Sequence, residues 1–146
     1  MVYVDTSILV KLYFRESFSS EAARWVTRNN QSLPFTAFHE LEFTNALNQK
    51  LFRKELTRDM VIEVTNRFEH HEDKGVYYRP TLDWGRVMSQ SQELSRDYTP
   101  ATGSRSLDII HVASARTLGC LSFFTFDSKQ EKLAEQAGLE VIRING

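Results

Sequence analysis

Two hydrophobic rhythms alternate along this chain. Short, nearly continuous apolar or β-branched runs at 2–4, 33–36, 76–78, 121–126 and 140–144 predict strands, because a strand covered on both faces needs no polar alternation. Between them, apolar residues return every three or four positions, the spacing of one helix face. This predicts helices over 8–14, from Ser19 or Ser20 to about residue 28, over 37 to about 53, from a cap at Thr57 to about 70, over 83 to about 96, over 107–118, and from a cap at Ser128 to 137. Gly119 and Gly138 follow the last two as C-terminal stops. Residues 98–106, Tyr-Thr-Pro-Ala-Thr-Gly-Ser-Arg-Ser, read as a loop by composition.

Strands separated by helices imply crossover connections, hence a mostly parallel central sheet with helices on both faces, a three-layer α/β/α architecture. In such sheets ligands bind beyond the carboxyl ends of the strands. The 146 residues suit one domain, 1–146, and 41% hydrophobic with 25% charged residues is a globular composition. The single cysteine, Cys120, has no internal disulfide partner and suits a reducing compartment. No run approaches the roughly 18 apolar residues of a membrane span, and no N-terminal leader pattern is visible. A cytoplasmic protein without membrane association is the expectation. The net charge of −1 does not by itself suggest a nucleic-acid partner. A local basic face or a bound divalent ion would have to offset it.

Candidate chemistry comes from acids at the predicted strand ends. Asp5 directly follows 2–4, and Asp127 directly follows 121–126. Each is equally readable as a turn former or helix cap. Asp108 sits in the first turn of an otherwise apolar helix, where a buried charge is costly unless paired or metal-bound, although an acid there also meets the helix dipole favourably. Glu40 and Glu42 lie near the start of the 37–53 helix and point about 200° apart, so only one can share a site with the others. Periodicity leans to Glu42, with Asn45 placed to orient it, and leaves the choice open.

Four segments carry a resemblance. They are Val4-Asp5-Thr6-Ser7-Ile8-Leu9-Val10; Glu42-Phe43-Thr44-Asn45-Ala46-Leu47; Ser106-Leu107-Asp108-Ile109-Ile110-His111-Val112-Ala113-Ser114-Ala115; and Phe124-Thr125-Phe126-Asp127 with the following Gln130, Leu133, Ala134, Gly138 and Leu139. In this order they resemble the PIN-domain ribonucleases, above all the VapC-type toxins of toxin–antitoxin pairs. The resemblance implies an open α/β sheet with its acids gathered at one end, Mg²⁺ or Mn²⁺ as cofactor, and hydrolysis of RNA phosphodiesters. It also implies Glu42 rather than Glu40. Asp5, Asp108 and Asp127 would then hold metal, and Glu42 would hold it or orient the attacking water. Thr6, Ser7, Asn45 and Thr125 would support the acids, and Lys11 and Arg105 would contact phosphate. A small cognate antitoxin and a homodimer are the implied protein partners. Two features depart from the pattern: Lys129 stands where some members carry a further acid, and the 98–105 stretch is distinctive.

The remaining conspicuous residues read as structural. His39 and His111 fall among apolar helix neighbours and lack the clustered partners of a histidine metal site. His70 and His71 read as a charged helix terminus, Cys120 as a small core residue, and Trp25 and Trp84 as packing. Arg53, Lys54 and Arg58 read as a solvated turn. One rival reading is an aspartyl-phosphate phosphotransferase of the haloacid-dehalogenase type, but such enzymes usually carry a second Asp two residues after the nucleophile, where this chain has Ser7. The other rival is a non-catalytic RNA- or protein-binding module, against which stands the presence of all four acids.

Overall fold

The computed structural model describes residues 1–144. In chain order the elements are β1 (Val2–Val4), α1 (Thr6–Lys11), α2 (Ser19–Arg28), β2 (Leu33–Pro34), α3 (Ala37–Phe52), α4 (Arg58–Asp73), β3 (Tyr77–Tyr78), α5 (Trp84–Thr102), α6 (Ser106–Thr117), β4 (Ser122–Phe124), α7 (Ser128–Gln136) and β5 (Glu140–Ile142). The class is α/β, and every strand pairing is parallel. Among the described residues no helix is long and apolar enough to cross a membrane. The chain divides into two compact units, one made of Met1–Ile8 with Thr81 onward, the other of Leu9–Pro80.

The first unit is built on a three-stranded sheet of order β1-β4-β5. Tyr3 pairs with Phe123, and Phe123 with Val141, so the first strand of the chain lies beside one more than a hundred residues later. β4 is therefore central. Phe123 is fully buried and stacks on Tyr3, with ring centroids 5.5 Å apart. Around this pair pack Val87 and Leu94 of α5, Val112, Ala113 and Ala115 of α6, and Leu133 and Ala134 of α7. The small residues on α6 allow the close approach of α5, its principal neighbour.

The expected loop over 98–106 is corrected here. α5 continues through 98–102 with Pro100 inside it, and ends at Gly103, whose φ of 64° is left-handed. A proline costs a helix one backbone hydrogen bond and some steric clash. Pro100 is exposed and sits in the last turn, while Tyr98 packs against the core. Thr102 donates its hydroxyl to the Tyr98 carbonyl at 3.0 Å, and the Gly103 N–H reaches the Thr99 carbonyl at 2.8 Å. Turn-forming composition is outweighed by this tertiary anchorage and a satisfied helix end.

The second unit pairs β2 with β3 and packs α3 against α4. Its core is aromatic: Phe35 lies 4.6 Å from Phe68, and Phe68 stacks on Tyr77 at 4.7 Å. Thr57 caps α4 as expected, accepting from the Met60 N–H at 3.2 Å. Buried His39 has a capping role. The Thr36 N–H donates to His39 Nδ1 at 3.0 Å, and the His39 N–H donates to the Thr36 hydroxyl at 3.2 Å. The charged terminus expected at His70 and His71 is corrected for His71. Partial burial, with Arg67 and His70 adding positive charge, holds its pKa below the usual histidine range, and its Nδ1 lies 2.7 Å from the Tyr13 hydroxyl.

Candidate active site

Asp5 follows the last residue of β1 and its N–H donates to the Phe124 carbonyl of β4 at 3.1 Å. The parallel pairing thereby carries the two strand ends to the same level. The Asp5 carboxylate is 4% exposed, so it must be satisfied internally. Its Oδ1 accepts from the Ser7 hydroxyl at 2.7 Å and the Ile8 N–H at 3.0 Å. Its Oδ2 accepts from the Thr125 hydroxyl at 2.5 Å.

Thr125 joins two of the acids. Besides donating to Asp5, its Oγ1 accepts the Asp127 N–H at 3.0 Å. Asp127, rather than the expected Ser128, then caps α7: its Oδ1 accepts from the N–H groups of Lys129 at 2.8 Å and Gln130 at 3.0 Å. A carboxylate one residue earlier in the chain reaches both N–H groups, which displaces the serine from that role. The cap reading weighed for Asp5 and Asp127 thus describes one oxygen of each. Among the described residues no hydrogen bond goes to Asp127 Oδ2.

Asp108 is half-buried in the first turn of α6. Burial raises its pKa above the usual carboxylate range, and the negative charges of Asp127 and Asp5 raise it further, against the opposing influence of His111 and Arg105. Three acids distant in sequence therefore act on one another inside one unit. His111, one helical turn on, is held by Tyr3, whose hydroxyl lies 2.8 Å from Nδ1, and by the Thr6 hydroxyl, 3.3 Å from Nε2. It is a buried scaffold residue, as expected. The site opens into a pocket of about 380 Å³ lined by Arg105, Asp108, Phe126, Asp127, Ser128 and Lys129.

A carboxyl whose pKa is raised on folding costs stability once ionised. Below the ordinary carboxylate pKa of about 3.9 both states are protonated and no cost exists. It grows as pH rises towards the folded value and is complete above it. Chelator-treated Asp108→Asn protein is thus expected to be more stable than wild type at neutral pH by about 0.5–1 kcal/mol, a modest figure because the group is partly solvent-screened. That is a rise of roughly 2–4 °C in melting temperature, and it should disappear below about pH 4. Thermal melts at both pH values check it; an Asp108→Asn protein that melts lower at neutral pH would contradict the repulsion.

The other expected site residues lie in the second unit. Glu42 is half-buried on α3, and Asn45 is exposed on the same helix. Lys11, at the end of α1, stands 3.5 Å from Glu16. Among the described residues no group of three or more His, Cys, Asp or Glu side chains is arranged to hold a metal ion unaided. The donor set nevertheless fits a hard cation. Carboxylate oxygens are the ligands Mg²⁺ prefers, and that ion keeps several waters while taking only one or two carboxylates. The mutual repulsion felt by Asp108 is relieved by a bound cation. Sequence reasoning missed the pocket-lining role of Phe126 and Lys129, although their places beside Asp127 were a usable signal.

The PIN domain family model matches residues 2–136. No curated protein matches the chain in sequence. Among solved structures, VapC20 of Mycobacterium tuberculosis, a sarcin-ricin loop cleaving toxin, is similar at 18% identity and a TM-score of 0.70, covering 99% of this chain and 100% of its own. FitAcB of Neisseria gonorrhoeae is similar at 13% identity and a TM-score of 0.63, over 98% of this chain and 97% of its own. PAE2754 of Pyrobaculum aerophilum follows at 16% identity and 0.55, over 96% and 87%. At these identities the structures establish a shared fold.

Proposed function

Since this chain belongs to the PIN domain family, we propose that it is a Mg²⁺- or Mn²⁺-dependent endoribonuclease, the toxin of a toxin–antitoxin pair. The observation that carries the reading is the convergence of acids remote in sequence: the Thr125 hydroxyl bonds both the Asp5 carboxylate and the Asp127 backbone, and Asp108 lines one pocket with Asp127. Evolution of a stable fold gains nothing from placing three repelling carboxylates together; a cation-binding site does. Asp5, Asp108 and Asp127, all in the first unit, would hold the metal. When bound, a divalent ion lowers the pKa of its water and screens the charge that builds on the phosphate.

The chain's own residues prepare the rest. Ser7 and Thr125 fix both oxygens of Asp5, so its orientation is set before anything binds. Thr125 also fixes the backbone from which Asp127 projects. Arg105 opposes the charge on Asp108 and faces the same pocket, a position suited to a phosphate oxygen. Ser7 occupies the place where the phosphotransferase reading requires an acid, and it spends its hydroxyl on Asp5.

Likeness to VapC20, a toxin, supports the toxin part of the proposal; a small antitoxin as the partner that silences the site and a homodimer as the working form belong to the same proposal. The test is direct. Cleavage of a structured RNA is expected to stop when chelator is added and to return with Mn²⁺ or Mg²⁺; cleavage indifferent to chelator would remove the reading.

A further inference from the structure

A cavity of about 390 Å³ lies wholly within the second unit, between the C-terminal ends of α2 and α4 and the β2–β3 pair. Its apolar wall is formed by Leu12, Val26, Leu33 and Val76. The rim is fastened before anything binds. Ser32 donates its hydroxyl to the Gly75 carbonyl at 2.6 Å, and the Leu33 N–H donates to the Val76 carbonyl at 2.8 Å. The volume falls in the range of small-ligand sites, roughly 300–1,000 Å³.

Two donors line this cavity three positions apart. His71 is in the last turn of α4 and Lys74 is its C-cap, a spacing that puts both on one helix face. The state of His71 follows from a chain of hydroxyls. The Tyr13 hydroxyl lies 2.7 Å from His71 Nδ1 and 3.2 Å from the hydroxyl of buried Tyr77. Burial raises the pKa of both phenols, so each holds its single proton. Among the described residues the Tyr77 hydroxyl has no other hydrogen-bond partner, so it donates to Tyr13, and Tyr13 donates to Nδ1. A neutral imidazole that accepts at Nδ1 carries its proton on Nε2. Among the described residues Nε2 has no partner, and protein does not enclose it. Lys74 is exposed, and its ammonium has no partner among the described residues.

The charge balance favours an anion. Among the described residues no aspartate or glutamate lines the cavity. Besides burial, the positive charges of Arg67 and His70 keep His71 neutral, and those charges attract an anion to this end of α4. The helix-end carbonyls that would repel one are already spent. Those of His70, His71 and Glu72 accept the N–H groups of Lys74, Val76 and Gly75, and those of Trp25 and Val26 accept that of Asn29. Two donors side by side suit the paired oxygens of a carboxylate, and the wall suits a hydrocarbon.

We propose that this cavity binds a small monocarboxylate with an apolar body, its two oxygens taken by His71 Nε2 and Lys74 Nζ and its body laid on the apolar wall. The proposal does not depend on the ribonuclease reading.

The test is isothermal titration of the whole chain with octanoate at neutral pH, together with proton–nitrogen correlation spectra of the imidazoles. Octanoate is expected to bind once per chain with a dissociation constant of about 1 mM or tighter, ordinary for about ten non-hydrogen atoms. Acetate, which lacks the body, should bind at least about tenfold more weakly. Octanamide, which lacks the charge, should bind at least about fivefold more weakly. Of the four histidines, His71 should show the largest shift at saturation. Lys74→Met should weaken octanoate several-fold. Ala23→Trp, which fills the cavity from an exposed position on α2, should abolish binding. Lys132→Met, at an exposed position on α7, is the charge control and should change nothing. Should Ala23→Trp fail to fold, Lys74→Met and the spectra still carry the test. Wild-type protein that does not bind octanoate below about 10 mM, or binding that Lys74→Met leaves within about twofold of wild type, overturns the site. Saturation that leaves the His71 resonances unmoved overturns it as well.

Discussion

Asp5→Asn is expected to lower the RNA-cleavage rate by more than about 100-fold, beyond the roughly 10–100-fold that follows loss of an outer hydrogen-bond partner of a metal ligand. The substitution keeps the size of the side chain and removes its charge. It also disturbs the donor pattern. The oxygens of Asp5 accept from Ser7, Ile8 and Thr125, and an amide nitrogen placed at either position can accept none of these. If the Thr125 hydroxyl turns away, the Asp127 N–H that it accepts loses its fixed partner. One change therefore removes a metal-binding charge and loosens a second acid. Single-turnover cleavage under saturating Mn²⁺ measures the effect, with a thermal melt to show that the fold persists. A rate within about tenfold of wild type would mean that Asp5 is only a helix cap, a role asparagine fills about as well, and takes no part in the chemistry.

Phe123→Ala should produce the largest loss of stability, about 3–5 kcal/mol. The whole folding free energy of a domain of this kind is roughly 5–15 kcal/mol, so much of it disappears with one side chain. The ring is fully buried in the central strand and stacked on Tyr3 at an interplanar angle of 12°. Its neighbours from α5, α6 and α7 are fixed by their own packing, so the space cannot close fully. Urea denaturation followed by circular dichroism gives the value. A loss below about 1 kcal/mol would show that this core relaxes around the missing ring, contrary to the close packing described. Phe123 lies two residues before Thr125, so RNA cleavage by the surviving folded fraction also reports whether the strand end stays in register.

Much of this arrangement was legible along the chain because it depends on local rules. Apolar periodicity placed α3, α4, α6 and α7 close to their observed spans, Thr57 announced its helix start, and the short apolar runs located the strands. Asp5 and Asp127 were visible as acids following such runs, and the four motifs in order carried the family resemblance that the match over residues 2–136 establishes.

What the sequence determined by itself was the set of elements and the local places of Asp5 and Asp127 after strands and of Asp108 in a first helical turn, since caps, turns and amphipathic faces are properties of residues a few positions apart. Long-range contact decided the rest. Parallel pairing of β1 with β4 set Asp5 against Thr125, and burial together with the charges of Asp127 and Asp5 raised the pKa of Asp108. Packing of Tyr98 extended α5 past a composition that spelled a loop, and contact with Tyr13, Arg67 and His70 kept His71 from being a simple charged terminus. These outcomes depend on solvent exclusion and on charges brought together from remote parts of the chain, quantities that exist only once the backbone has folded.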